Sequence, residues 1–294
     1  MKEMLVVLSP TVINNAFSRK GFNALISKKP QELESTTLSL ALRHEAMLGE
    51  SRLSTIRRLY RYGFKSHRCE YFYKNSILNK IVLGKHSMNT ACAFEEFHIG
   101  DSIADMVVVA RQGTVYEIKT DLDNLERLPS QIEDYFKAFT RVVVVCSEGG
   151  SRRIAEVLKG KPVGLLVLTD RGTLSERMPP IEYAMGLDRT TIFDILRQDE
   201  RDSIILGLRG AIEDASPVRR YSVRRREFQE LSFESLYPEF LKALKRRNAS
   251  LDQAAVKAVP EELRLLAYMT GISLEGEKRL AASLDEAVYG EESR

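Results

Sequence analysis

Two carboxylates and one ammonium group lie close together in a segment rich in β-branched residues. Asp105 lies near the start of the apolar stretch 102–110, and Glu117 and Lys119 lie in the next stretch, 114–120. A glycine-containing turn separates the stretches, so they are predicted to pair as antiparallel strands. Side chains alternate along a strand, which places Glu117 and Lys119 on one face. The sequence therefore predicts that these three charged groups meet at a β-hairpin.

Carboxylates that crowd together repel one another, and burying them without a partner is costly. A divalent cation such as Mg²⁺, or Mn²⁺ in its place, removes the repulsion because it takes hard oxygen ligands and keeps waters for a phosphate substrate. Asp105 and Glu117 are the predicted metal ligands. Lys119 suits the remaining role, as a positive charge near the attacking water or the scissile phosphate.

A helix is predicted after these strands, with Asp123 or Asn124 as its cap. Gln131 would lie in its first turns, and Tyr135 follows one turn later on the same face. The amide of Gln131 could bind a water, a phosphate or a ligand carboxylate. Arg127 is a predicted phosphate contact.

Asp105, Glu117-Ile118-Lys119 and the Gln131 to Tyr135 pair resemble the PD-(D/E)XK nuclease superfamily. The glutamine with a trailing tyrosine is typical of its exonuclease-like and resolvase-like branches. One departure is that Ala104 stands where the motif has proline. The sequence around 116–128 also resembles an uncharacterised group of bacterial and phage members of that superfamily.

The resemblance implies an α/β fold with a restriction-endonuclease-like mixed sheet, in the order αβββαβ, and helical additions at both ends. It also implies that the Ile118 backbone carbonyl joins Asp105 and Glu117 at the metal. Glu70, Glu96 and Tyr135 are secondary candidates for the site. The two glutamates are included because some members take a further acidic ligand from the first helix or from just before the aspartate strand. The helix dipole alone also favours an acidic residue where Glu70 stands.

The predicted regions are a helical N-terminal region at 1–66, the nuclease-like core at 67–185 and a mainly helical C-terminal region at 186–294. Apolar periodicity and composition predict elements within and beyond the core. They are a helix at 70–84, strands at 91–99, 141–146 and 163–168, and helices at 191–208, 233–247, 251–266 and 280–288.

An arginine-rich stretch at 217–226 lies between two of the C-terminal helices. Arginine suits the sequence-independent phosphate contacts that a nuclease makes outside its site. A solvated loop or a protein-docking edge explains the same composition. The candidate nucleic-acid contacts are Arg219, Arg220, Arg224, Arg225 and Arg226.

Composition limits the classes of protein to consider. Charged residues make up 29% of the chain, hydrophobic residues 44%, and the formal net charge is +3. No apolar run approaches the length that spans a bilayer, and the N-terminal segment lacks the pattern of a signal peptide. Cys69, Cys92 and Cys146 lack the spacing of a disulfide framework or a zinc site, so reduced thiols in the cytoplasm are predicted.

Two hypotheses follow. The first is a metal-dependent nuclease, for which the resemblance favours DNA over RNA. The second is a catalytically silent module that kept the fold and binds nucleic acid or a protein partner. The sequence leaves the pathway, the polarity of cleavage and the oligomeric state open, with a homodimer among the options.

Overall fold

The computed structural model describes residues 9–47 and 49–288. Contacts group these residues into two compact units, one from the described residues up to 81 and from 251 onwards, and the other from residues 82–250. The fold is α/β, with one six-stranded mixed sheet and helical additions, as predicted from the sequence. The three-region division stays a prediction. The N-terminal residues 1–8, on which the prediction about a signal peptide falls, lie outside the described residues.

The first unit is helical in the part that the structure describes. Aromatic rings pack at its centre: Phe17 stacks on Tyr71, and Tyr60 packs edge-on against Phe72. Its helices are α1 (Pro10–Ala16), α2 (Arg19–Ile26), α3 (Pro30–Glu34), α4 (Thr37–Glu45), α5 (Arg52–Ser66), α6 (Glu70–Ile77), α13 (Gln253–Ala258), α14 (Arg264–Thr270) and α15 (Leu274–Asp285). A π-helical turn, Leu78–Val82, follows α6.

The second unit carries the sheet. Its strands are β1 (Cys92–Ile99), β2 (Ser102–Val109), β3 (Gly113–Lys119), β4 (Arg141–Cys146), β5 (Val163–Leu168) and β6 (Leu174–Met178). Its helices are α7 (Leu128–Phe136), α8 (Glu148–Leu158), α9 (Arg189–Ile195), α10 (Gln198–Arg209), α11 (Pro217–Gln229) and α12 (Phe233–Arg246).

The strands lie side by side in chain order. β1, β2 and β3 pair antiparallel, β4 and β5 continue in parallel to β3, and β6 returns antiparallel to β5. Because β3 and β4 are parallel, their carboxyl ends meet at the same edge of the sheet. The order from α6 through β1, β2, β3 and α7 to β4 is the predicted αβββαβ order.

Helix α7 packs on β2 and β4. Its buried face, from Leu128 through Ile132 to Phe136, joins one core with alternate residues of the strands, such as Val107 and Val144. Those strand residues are β-branched and fully buried, which favours extended backbone under a helix. The first four residues of β4 after Arg141 are all valine, as suits a strand covered on both faces.

Several predicted elements differ in detail. The helix predicted at 191–208 is two helices, because Leu196 is extended and Glu200 caps a new start at Arg197. The helix predicted at 251–266 is interrupted near Pro260. The arginine-rich stretch is the helix α11, not a loop. Strand β6 was not predicted, and it pairs on one side only.

Across the described residues, none of the helices combines the length and the apolar character that crossing a membrane requires.

Candidate functional site

The candidate site lies where β2 and β3 separate. The last regular pair of their ladder is Met106 with Tyr116, and the next position places Asp105 opposite Glu117. There Asp105 Oδ2 accepts a hydrogen bond from the Ile118 amide at 2.6 Å. A side-chain oxygen thus takes the place of a backbone acceptor in the ladder. This contact keeps the Asp105 carboxylate beside the Glu117 backbone.

Glu117 and Lys119 form a buried ion pair on one face of β3. Their exposed fractions are 2% and 9%, and Lys119 Nζ lies 2.7 Å from Glu117 Oε1. Lys119 Nζ also donates to Gln131 Oε1 at 3.0 Å. An unpaired charge in this position would be strongly destabilising, so the buried pair requires both partners.

Tyr135 holds the second oxygen of the Glu117 carboxylate. Its hydroxyl oxygen lies 2.6 Å from Glu117 Oε2 and 3.0 Å from the Ile103 carbonyl oxygen. Burial, followed by the negative charge of Glu117, raises the pKa of Tyr135 far above its ordinary value. The phenol therefore stays protonated and can donate its hydrogen to Glu117. Gln131 Nε2 makes a longer contact with the same hydroxyl, at 3.4 Å.

Asp134 fixes α7 relative to the turn between β1 and β2. Its carboxylate accepts from Ser102 Oγ and from Lys137 Nζ, each at 2.6 Å. Burial alone would raise the pKa of this carboxyl, but the hydrogen bonds from Lys137 and Ser102 outweigh it and lower the pKa. Gly100 has φ of 60°, and a Cβ there would lie 3.1 Å from Asp134 Oδ1. These contacts fix the position of α7, and with it the position of Gln131 and Tyr135 relative to β3.

The donor set fits a hard divalent cation better than zinc. Asp105 and Glu117 supply carboxylate oxygens, and the Ile118 amide, not its carbonyl, makes the contact with Asp105. Within residues 9–47 and 49–288, no group of three or more histidine, cysteine, aspartate or glutamate side chains is placed to hold a metal. Two carboxylates, with waters and a phosphate completing the shell, are usual for Mg²⁺.

The secondary candidate Glu70 is the first residue of α6 in the other compact unit. It is exposed and forms an ion pair with Lys74 one turn later. It therefore makes the helix-start contact that the dipole favours.

Glu96 stands on β1 at the position that faces Asp105, between the pairs of Glu95 with Met106 and Phe97 with Ala104. Its φ is 49°, a left-handed value that non-glycine residues seldom adopt. The alternation of buried and exposed side chains along β1 is interrupted at this position, and the Glu96 side chain is exposed. Strict alternation could not predict this position.

The predicted arginine contacts separate into two kinds. Arg219, Arg225 and Arg226 are exposed on α11, and Arg220 is half-buried; Arg226 is paired with Glu213. Arg224 is 8% exposed and does not face solvent, so as a nucleic-acid contact it was predicted wrongly. It donates to Asp202, to the Glu213 carbonyl and to Glu227. Through these bonds Arg224, which lies on α11, connects its own helix with α10.

The predicted helix cap is also wrong. Helix α7 begins later, at Leu128, with exposed Arg127 as its N-terminal flank. Asp123 instead accepts from the amide and the hydroxyl of Thr120, and Asn124 accepts from the Glu126 amide.

Sequence reasoning missed two long-range contacts of the site. Ser147 at the start of α8 donates to Asp121, and Ser102 donates to Asp134. The Ser147-Glu148-Gly149-Gly150 segment does carry the signal of a helix start, with Ser147 capping Gly150. Nothing in the local sequence indicates its partner, since Asp121 comes 26 residues earlier.

Comparison with known proteins gives one family match. A family model described as bacteriophage P4 protein cII matches residues 64–266, which is more than half of the chain. This match agrees with the phage-related part of the predicted resemblance. No curated protein matches the chain. Among solved structures, a protein of unknown function from Silicibacter pomeroyi, SPO1766, matches over 54% of this chain and 77% of its own, with 14% identity and a TM-score of 0.27.

Proposed function

Because this chain belongs to the bacteriophage P4 protein cII family, which is named for a phage protein and not for a reaction, we propose its activity from the site itself. The proposal is a metal-dependent nuclease of the PD-(D/E)XK type that hydrolyses phosphodiester bonds of nucleic acid. Asp105, Glu117, Lys119 and Gln131 are the proposed catalytic residues. DNA is the proposed substrate in preference to RNA, on the resemblance described above.

One observation carries the proposal. Two carboxylates, an ammonium and an amide from β2, β3 and α7 converge at the point where the β2–β3 ladder ends. Lys119 Nζ reaches both Glu117 and Gln131, and Asp105 reaches the amide between Glu117 and Lys119. A stable sheet does not require such an arrangement, since apolar residues of similar volume would cost less to bury.

Each residue has a role that follows from its contacts. Asp105 and Glu117 would hold Mg²⁺ or Mn²⁺, which when bound lowers the pKa of a coordinated water and polarises a phosphoryl oxygen. Lys119 has three N–H donors, and acceptors in the described part of the chain account for two of them. The third can orient a water or a phosphate oxygen. Gln131 holds the ammonium in place, and Tyr135 fixes the orientation of Glu117.

The silent-module hypothesis also has an observation in its favour. Both Glu117 oxygens and the Asp105 Oδ2 atom already accept hydrogen bonds from protein donors. Donors of the chain therefore satisfy these oxygens without a metal ion. A chain that lost activity could retain the same side chains as a structural network, so the two hypotheses must be separated by experiment.

The test is a cleavage panel with the full chain over single-stranded, double-stranded and branched DNA and over RNA. Each substrate is incubated with Mg²⁺, with Mn²⁺ and with a chelator. The variants are Asp105→Asn and Lys119→Met, with Lys242→Met as the matched control, because Lys242 also pairs with a carboxylate but lies on α12, outside the cluster. Thermal unfolding of every variant shows that it is folded.

We expect metal-dependent cleavage by the wild type and by Lys242→Met, and a loss of at least about 100-fold in Asp105→Asn and Lys119→Met. Calorimetry should show Mg²⁺ binding that Asp105→Asn weakens. Nucleic-acid binding with no cleavage of any substrate, and no metal binding that depends on Asp105, would instead support the silent module.

A further inference from the structure

The loop at residues 120–127 connects the two elements that carry the candidate site. It begins directly after Lys119, the last residue of β3, and ends where α7 begins, one turn before Gln131. The loop therefore begins directly beside the ammonium of the candidate site.

The loop is held at several points. Asp123 Oδ2 accepts from the Thr120 amide at 2.6 Å and from the Thr120 hydroxyl at 2.8 Å. Ser147 donates to Asp121, and Arg153 Nη2 donates to the Asp123 carbonyl at 3.1 Å. These bonds fix the backbone on both sides of Leu122 and attach it to the start of α8. The cost of ordering the loop is met before any ligand arrives.

Leu122 lies between these fixed points with 97% of its surface exposed. An apolar side chain so fully presented gains nothing from the fold, because it buries almost no area. Leu122 is three residues beyond Lys119, a span of at most about 11 Å. Stacked nucleotides follow one another at about 3.4 Å along a strand. Leu122 can therefore contact a base that lies up to about three nucleotides from a phosphate bound at the site.

Arg127 adds a positive charge at the other end of the loop. Arg127, Gln131 and Tyr135 are spaced four residues apart, and the backbone N–H of Gln131 donates to the backbone carbonyl of Arg127 at 3.0 Å. The series runs from buried Tyr135, bound to Glu117, through half-buried Gln131, bound to Lys119, to exposed Arg127. Residues at this spacing share a helix face, so Arg127 extends the site toward solvent.

We propose that loop 120–127 is a preformed contact for nucleic acid next to the scissile phosphate. In this proposal Leu122 packs against a nucleobase and Arg127 contacts a phosphate of the same strand. Apolar side chains that insert at a base step, beside cations on the backbone, are an established way for proteins to grip and locally unstack nucleic acid. The inference rests on the proposed function, and it adds base contact to what the cluster alone would recognise.

The test uses oligonucleotides with a single 2-aminopurine, whose fluorescence reports unstacking, placed in turn at successive positions. Binding is measured with the full chain and Ca²⁺ in place of Mg²⁺. The variants are Leu122→Ser and, as a matched control, Met185→Ser, because Met185 is 86% exposed in a different loop. Both side chains bury little area, so both variants should unfold at the wild-type temperature.

We expect wild type and Met185→Ser to change the fluorescence at one or two adjacent positions, and Leu122→Ser to lose that change and bind about fivefold more weakly. Arg127→Gln should reduce the slope of log affinity against log salt by about 1, whereas Leu122→Ser should leave it unchanged. A Leu122→Ser variant identical to Met185→Ser overturns the loop proposal, even if the wild type cleaves. If the fluorescence change depends on Leu122 but the protein cleaves no substrate with any metal, the loop contact is supported and the nuclease proposal is overturned. No binding by the wild type overturns both.

Discussion

Glu117 with Lys119 and Arg224 with Glu227 are both buried ion pairs of the same compact unit, but they occupy different settings. Arg224 lies on a helix and binds the carboxylates of Asp202 and Glu227 and a backbone carbonyl, so it connects α10 with α11. Lys119 lies at the end of a strand, beside the half-buried amide of Gln131. Burial and pairing alone therefore do not identify a functional charge.

The difference lies in what surrounds each cation. Arg224 satisfies acceptors that the packing of two helices would otherwise leave unpaired. Lys119 is next to the opening of a ladder, where a second carboxylate, Asp105, has replaced a backbone acceptor. The contacts of Arg224 are accounted for by their contribution to stability, whereas those of Lys119 also require an explanation in terms of chemistry. Four predictions test this distinction.

Arg224→Ala should give the largest loss of stability. It removes the nearer cation from the buried Glu227 carboxylate, which keeps Arg209 at 3.7 Å, and breaking a buried pair costs about 3–5 kcal/mol. Urea unfolding measures the difference. Arg225→Ala, an exposed neighbour on the same helix, should stay within about 0.5 kcal/mol of wild type. Equal effects of the two changes would show that Arg224 is not the connection described above.

The second prediction compares single and double changes at Glu117 and Lys119. Lys119→Met leaves a buried carboxylate and should cost about 3 kcal/mol, whereas adding Glu117→Leu should return the stability to within about 1 kcal/mol of wild type. Cleavage should be absent in both variants. Recovery of stability without recovery of activity is the signature of a pair retained for chemistry. A double variant as unstable as the single one would contradict it.

Much of the sheet could be predicted from the sequence, and the reason is local. β2 and β3 are β-branched stretches around a glycine turn, and β4 and β5 are continuous apolar runs of strand length. Strand β6, Leu-Ser-Glu-Arg-Met, is half polar and pairs on one side, so it lacks both patterns. The Ser216-Pro217 start of α11 does carry a helix signal that the abundance of arginine obscured.

The site could be predicted only as far as neighbours along the chain allow. Spacing of two on a strand gave Glu117 and Lys119, and spacing of four on a helix gave Gln131 and Tyr135. The buried setting of Arg224 depends on Asp202, which is 22 residues away, and no local pattern reports that distance. The left-handed backbone of Glu96 likewise follows from how β1 meets β2, not from its own sequence.

The third prediction concerns acid and uses Asp134, which fixes α7 beside the site. Its pKa is lowered in the folded protein, so it contributes stability above its unfolded pKa, and this stability is lost as the pH falls below about 4. Asp134→Asn should cost about 1 kcal/mol at neutral pH and flatten the fall in stability below pH 4. Unfolding curves from pH 7 to pH 3 measure both. The fall should persist in Ser102→Ala, which removes one donor and keeps the titrating group.

The smallest effect is expected from the exposed arginines of α11, which are the part of this helix left for nucleic acid once Arg224 is assigned to the interior. Arg219→Ala with Arg225→Ala should leave stability within about 0.5 kcal/mol and reduce the salt slope of nucleic-acid binding by about 2, since each arginine would neutralise one phosphate. Lys159→Ala with Arg171→Ala removes two exposed cations elsewhere in the same unit and serves as the control. If both pairs change the slope equally, binding reflects net charge and α11 has no special role. If only the α11 pair does, the helix combines a face for phosphate with an opposite face that Arg224 fastens to α10.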